Sequence, residues 1–301
     1  MRSKLYRLGI VVVLAVTLSL GIMVFVVSYP EVGVTYKVGV DEFPISAYDP
    51  ATIPQSVSED AIGLAQELFG DYHEACNDFA NQLLAAYLEA KDKDFVVIFN
   101  PGGWGWNLLD ASPGWHSIFT GMESELDNLG YTSLLLSYQR TTNSLRGHLD
   151  ELVEMVTGYS SKANDLVYRV DFLTNHIPRL KVIITSESTG TIISDCVMSM
   201  LEDNSQVYSI QTGPPFWHKS IMLDRTLVIT NNGIIPDSFS QGDFLTIIRG
   251  NLKSLFGFSE PVDDFGTILH YVGAPGHDYW WQFPKVRFQI TSFLEQNFRI
   301  K

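Results

Sequence analysis

The sequence predicts an α/β fold in which a mostly parallel central sheet is covered by helices on both faces. Three observations predict it. From Phe95 onward, short apolar, β-branched runs alternate with segments of helical period. Those runs are continuously apolar rather than alternating, as strands buried on both sides must be. One of them, Val182 to Thr185, passes through Ser186-Glu187-Ser188-Thr189-Gly190 into a stretch carrying Ile192, Ile193, Val197, Met198 and Leu201 at helical spacing.

The chain opens on a different kind of segment. Leu8 to Val27 is free of charge and largely apolar, long enough to cross a hydrocarbon core of roughly 30 Å as a helix. Arg2, Lys4 and Arg7 precede it and place that end in the cytoplasm. A signal anchor over residues 1–28 is therefore expected, with the rest of the chain outside the cytoplasm. A cleaved signal peptide and secretion is the alternative, although such peptides have apolar cores of about 7–15 residues and nothing after Val27 resembles A-x-A. Residues 29–56, with Pro30, Pro44, Pro50 and Pro54 and no clear period, read as an extended tether, and residues 57–301 as the folded domain.

Ser56-x-x-Glu59 reads as a capping box opening a helical region from Val57 to Lys91, interrupted near Gly70. Strands are predicted at Phe95–Phe99, Ser133–Ser137, Val182–Thr185, Val207–Ile210, Thr226–Ile229 and Ile268–Val272. Helices are predicted at Trp115–Leu129, Ser144–His176, from Thr191 onward, Phe244–Leu255 and Phe283–Phe298. No segment is long enough for a large lid domain, which predicts a fairly open site.

Composition narrows the function. Hydrophobic residues are 46% and charged residues 18%, the balance of an ordered globular chain. A net charge of −14 argues against nucleic acid as a partner. The same charge is repelled by anionic head groups, so membrane attachment needs an explicit anchor. Cys76 and Cys196, the two cysteines, read as buried small apolar residues, with a disulfide between them left open. His73 and Cys76 share a helix face, but two ligands do not make a metal site. No cofactor is expected.

In a strand-to-helix turn this tight, the central residue is strained and its neighbours must be small. Ser186 and Gly190 flank Ser188 in that way, although an ordinary connection with Ser188 as helix N-cap would look similar. The pattern resembles the G-x-S-x-G nucleophile elbow of the α/β-hydrolase fold, with Ser in place of the first Gly. The resemblance implies a serine esterase or lipase and directs attention to the loops at the C-terminal ends of the other strands. Asn100-Pro-Gly-Gly-Trp-Gly-Trp106 resembles the His-Gly-Gly-Gly oxyanion loop, with Asn100 for His. It implies that the amide of Gly103 or Trp104, with that of Thr189, holds the oxyanion, each donor being worth roughly 3–4 kcal/mol.

Asp237, after the fifth strand, resembles the family's acid; Asp243 is the reserve, and Asp263 and Asp264 are poorer because they precede the last strand. His277 stands in Gly276-His-Asp-Tyr279 after the last strand, where the family's base sits, and Gly-His-x-Tyr is a form seen in many members. The order Ser188, Asp237, His277 is the family's order. These residues imply cleavage of a carboxylic ester, or a thioester, through an acyl-enzyme on Ser188 that water resolves to the free acid. An acyltransferase using the same triad and a non-catalytic binding module are the alternatives. Trp104, Trp106, Trp115, Phe216, Trp217, Trp280 and Trp281 fall in or near loops at the predicted catalytic edge. Of these, Trp106, Phe216, Trp217 and Trp280 are the candidates for a pocket taking the acyl group of a small-molecule or lipid ester. Arg140 could bind a substrate carboxylate, but a surface ion pair is the expectation.

Overall fold

The computed structural model describes residues 31–38, 52–256, 265–269 and 272–299. The expected membrane anchor lies outside these residues. Among them, no helix is long and apolar enough to cross a membrane.

Six strands form the main sheet: β1 (Val34–Lys37), β2 (Phe95–Asn100), β3 (Ser133–Gln139), β4 (Lys181–Glu187), β5 (Val207–Thr212) and β6 (Thr226–Ile229). Their order is β1-β3-β2-β4-β5-β6. From β3 to β6 every pairing is parallel, and β1 runs antiparallel to β3. The helices are α1 (Gln55–Phe69), α2 (His73–Ala90), α3 (Pro113–Asn128), α4 (Leu145–Thr157), α5 (Ser160–His176), α6 (Gly190–Met200), α7 (Phe244–Leu255) and α8 (Pro284–Phe298).

The period-2 alternation of the strands builds two apolar layers. Val96, Ile98, Val182 and Ile184 pack with α1, α2, α5 and α6. Phe95, Val97, Phe99, Ile183 and Ile210 point the other way, into α3 and α8. The fold class is therefore as predicted, and every residue of β2 is buried. The chain runs from β2 outward to β3, then returns to lay β4 on the other side of β2. The loops after β2 and β4 consequently diverge, one toward α3 and the other toward α6 on the opposite face. Such a switch point opens a crevice at the C-terminal strand ends.

Four local expectations need correction. The single helix predicted over Ser144–His176 is broken: Gly158 (φ 83°) and Tyr159 (φ 61°) are left-handed, and Gly158 caps α4 through its N–H to Glu154 O. Among the described residues, the strand predicted at Ile268–Val272 does not join the main sheet. Its place is taken by a separate antiparallel hairpin, β7 (Phe265–Leu269) with β8 (Val272–Pro275), and Gly273 and Pro275 suit an edge hairpin better than a central strand. The capping box is absent, because α1 begins at Gln55 behind Pro54 without a side-chain cap; Gln55 Nε2 instead donates to Glu59 Oε1 at 2.7 Å. Cys76 and Cys196 are free thiols, each only half-buried. Residues 34–37 fall in the stretch read as a tether, and there they add a strand to the sheet edge.

Candidate active site

The turn from β4 into α6 holds Ser188 at φ 50°, the left-handed region that non-glycine residues avoid. Backbone bonds over-determine it: Ser188 N–H donates to Thr212 O at 3.0 Å, and Ser188 O accepts from Thr191 N–H at 3.0 Å and from Thr191 Oγ1 at 2.7 Å. The small neighbours are required sterically. A Cβ on Gly190 would sit 2.6 Å from Asn100 O, and one on Gly102, in the loop after β2, 2.8 Å from Ser188 Cβ. Ser188 Oγ is buried and has no protein hydrogen-bond partner. The direct bond to His277 that the triad expectation contains is not made.

The acid and the imidazole do meet. Asp237 comes from the loop after β6 and His277 from the loop after β8. Asn232 joins the two loops, its Nδ2 donating to Gly276 O at 3.2 Å and Asp278 O at 2.9 Å. His277 Nδ1 lies 2.8 Å from Asp237 Oδ2, which also accepts from the Tyr279 hydroxyl at 2.7 Å and Ser240 Oγ at 2.9 Å. Asp237 Oδ1 accepts the Phe239 and Ser240 amides at 2.9 and 3.0 Å. Burial would push the Asp237 carboxyl up, but His277, these amides and Tyr279 outweigh it and hold the group below the usual carboxylate range. Burial and the Asp237 charge push the Tyr279 phenol well up, so it stays a donor. With an ionised carboxylate at Nδ1, that nitrogen carries the proton and Nε2 is left with a free lone pair. Asp243 plays no part in this: it is the N-cap of α7, accepting from Thr246 N–H at 3.1 Å.

Ser188 and His277 border two consecutive residues at the end of β5. Thr212 O takes the Ser188 amide, while a Cβ on the next residue, Gly213 (φ 59°), would stand 2.6 Å from His277 Cε1. Only glycine lets the imidazole lie this close to the end of β5.

The loop after β2 is held by Arg140, which is fully buried rather than on the surface as expected. Its guanidinium pairs with the equally buried Glu151 at 2.8 Å and reaches Asn100 Oδ1 at 3.0 Å, Gly103 O at 3.1 Å, Thr189 Oγ1 at 3.3 Å and Pro101 O. Asn100 Nδ2 in turn donates to Gly190 O at 2.8 Å. Thr189 Oγ1 donates to Gly103 O at 3.1 Å, so the predicted oxyanion residues Gly103 and Thr189 are tied to each other. Trp104, next along the loop, packs tilted against His148 with ring centroids 4.8 Å apart. Arg140 also dictates Gly105 (φ 75°), where a Cβ would fall 2.4 Å from its Nε. Beside the elbow, Glu187 accepts the Gly102 amide. Burial raises its carboxyl, and the nearby His277 and the Gly102 amide oppose that only in part.

Of the predicted pocket residues, Phe216 and Trp217 are brought toward His277. Both pack edge-on to Phe239, at 6.4 and 5.4 Å, and Phe239 packs edge-on to the imidazole at 4.9 Å. Trp280 donates to Asp278 and Trp106 is half-buried in its own loop; neither joins this cluster. Trp115 is core, its Nε1 bonded to Thr212 Oγ1 at 3.2 Å, and Trp281 covers Gly121 of α3. Sequence reasoning missed Phe239 and Ser240, whose only signal was proximity to Asp237. It also missed Glu151, which no local period links to Arg140. Among the described residues no group of three or more His, Cys, Asp or Glu side chains could hold a metal ion.

No protein-family model matches this sequence, and no curated protein does either. Among solved structures, the chain is similar to a Trichoderma reesei cutinase in complex with a C11Y4 phosphonate inhibitor. The identity is 14% and the TM-score 0.35, over 64% of this chain and 82% of that one.

Proposed function

We propose that the chain is a serine hydrolase that cleaves a carboxylic ester, or a thioester, through an acyl-enzyme on Ser188. The observation that carries this is the 2.8 Å bond between Asp237 and His277, set against a buried serine held at φ 50°. Asp237 fixes the Nδ1–H tautomer, so Nε2 takes the Ser188 proton as Oγ attacks the acyl carbon. The imidazolium, stabilised by the carboxylate, returns the proton to the leaving alcohol or thiol. Water then repeats the sequence and frees the acid. Amides from the loop after β2 and from Thr189 receive the developing oxyanion, and Phe216 and Trp217 line the acyl side. The domain is held to a membrane by residues 8–27, with the catalytic part outside the cytoplasm.

A fluorophosphonate probe should label the purified protein, and Ser188→Ala should abolish the labelling. Labelling that persists in this variant would reject Ser188, with Ser186 the next serine to test. Protease digestion of intact cells against opened vesicles reports the topology, and protection of the C-terminal domain in intact cells would reverse the orientation.

A further inference from the structure

We propose that the catalytic edge of the sheet rests on the outer surface of the bilayer to which the chain is anchored, with the exposed apolar side of α7 and Phe216–Trp217 dipping into it. The inference rests on the anchor reading above and adds the orientation of the site and the source of its substrate.

Strand register gives the first argument. β1 is antiparallel to β3, and Val34 pairs with Gln139, the last residue of β3. The chain therefore enters the sheet at the same end as Asn100, Glu187 and Thr212, where the catalytic loops lie, and not at the opposite end. Entry is fixed before the strand begins. Glu31 accepts from Thr142 Oγ1 at 2.8 Å, and its carbonyl from Lys162 Nζ at 3.3 Å. Gly33 N–H donates to Asp165 Oδ2 at 3.3 Å, and Gly33 O accepts from Arg169. Only the stretch from Val27, the end of the apolar run, to Glu31 is available as slack, at most roughly 14 Å of chain. An anchor in the membrane thus pulls the β1–β3 corner of the catalytic edge down to the head groups.

The surface of that edge gives the second argument. Leu145 is exposed close to Thr142, where the tether docks. Across the sheet, Phe216 and Trp217 are exposed, and Phe216 packs edge-on to Phe244 at 5.0 Å, which continues the apolar surface onto α7. On that helix Ile247 and Gly250 are buried, and Asn251 bonds Gly273 of β8. At 100° per residue, Phe244, Leu245, Ile248, Leu252 and Leu255 fill the adjoining sector, all exposed, and Arg249 and Lys253 the sector beyond. An apolar face of aromatic and Leu/Ile side chains bordered by cations is the composition of a helix lying in a lipid interface. The charge agrees: in a chain of net charge −14, α7 carries no acidic residue. A bilayer held within reach by the tether is the occupant this surface fits. The acyl chain of a membrane-borne ester then passes Phe216 and Phe239 on its way to Ser188.

The test uses the full chain in phosphatidylcholine vesicles. A nitrobenzoxadiazole probe is placed at Leu252→Cys, or for comparison at Asp92→Cys, in the turn entering β2 at the opposite edge, in a background with both native cysteines replaced. Spin-labelled lipid should quench the probe at 252 and not at 92. Equal exposure of both probes to aqueous iodide, in protein that resists carbonate extraction, overturns the orientation and leaves the anchor standing. Release of the protein by carbonate overturns both. A probe at 252 shielded from iodide but not quenched by lipid means that a second copy or another part of the chain covers α7, and also overturns the proposal. In parallel, Leu245→Ser/Ile248→Ser/Leu252→Ser should leave hydrolysis of a short soluble ester within twofold and reduce hydrolysis of a bilayer-embedded long-chain ester at least tenfold. Equal effects on the two substrates would refute delivery from the membrane.

Discussion

Removing the Arg140 side chain charge separates what holds the domain together from what holds the site in shape. In Arg140→Met, Glu151 loses its ion-pair partner at a position that is almost fully buried, and Asn100 Oδ1, Pro101 O and Gly103 O each lose a donor. Breaking a buried pair from one side costs about 3–5 kcal/mol. For a domain of this size that lowers Tm by roughly 6–20 °C. The double variant Arg140→Met/Glu151→Leu removes the stranded carboxyl, and buried pairs replaced by apolar residues are often neutral, so most of the lost Tm should return. The loop after β2 is still unclamped in the double variant, and a displacement of about 1 Å near reacting atoms costs on the order of 10²-fold in rate. Calorimetry and turnover of a p-nitrophenyl ester, on both variants, read the two effects. A double variant that regains both Tm and rate would refute the positioning role of Arg140, and a single variant as stable as wild type would refute the burial argument.

Asp237→Asn should reduce kcat by about 10⁴, the cost of a wrong histidine tautomer. Asp243→Ala should leave kcat unchanged and slightly lower Tm, since that side chain only caps α7; the reverse pattern would exchange their roles. Gly213→Ala pushes a methyl against the His277 ring at a left-handed position and should lower kcat at least tenfold while Ser188 still accumulates probe slowly; an unchanged kcat would show that the ring does not depend on this contact. Glu187 has its carboxyl raised by burial, so the folded state resists ionisation that the unfolded chain undergoes near pH 4. Stability attributable to it is present below that pH and is lost as pH rises toward the folded value. Glu187→Gln should therefore gain Tm over wild type at pH 7 but not at pH 4, and equal differences at the two pH values would remove the burial cause.

Much of the fold was legible because its strands are short continuous apolar runs between helical periods, and Thr226–Ile229 and Phe244–Leu255 fall where periodicity puts them. What failed were features set by partners far along the chain. Nothing local says that Val272–Pro275 pairs with Phe265–Leu269 instead of joining β6, or that Val34–Lys37 docks on β3. The break at Gly158 was visible as a glycine, but apolar period continues through it and masked the left-handed pair. In the candidate site, Asp237 and His277 were singled out by their places in loops after strands, and their side chains lie 2.8 Å apart. Arg140 was misjudged because a charge after a strand is usually solvated, and only the three-dimensional packing of Glu151 and the loop after β2 makes it buried.

Ser188 itself concentrates two local costs, and both can be weighed. A non-glycine residue in the left-handed region costs on the order of 1–3 kcal/mol, and a buried hydroxyl without a partner about 1–3 kcal/mol. Ser188→Ala removes the second cost alone, so it should be more stable than wild type by about 1 kcal/mol, a Tm rise of roughly 2–4 °C. Ser188→Gly also relieves the backbone, at φ 50°, where an alanine is the worse residue by about 1 kcal/mol or more; it should melt at least as high as Ser188→Ala despite the greater freedom of glycine in the unfolded chain. Both variants should be inert toward the fluorophosphonate probe. Lower melting of both than of wild type would mean that the hydroxyl stabilises the fold, and the serine would then be a structural residue at a strand end instead of a nucleophile held in tension.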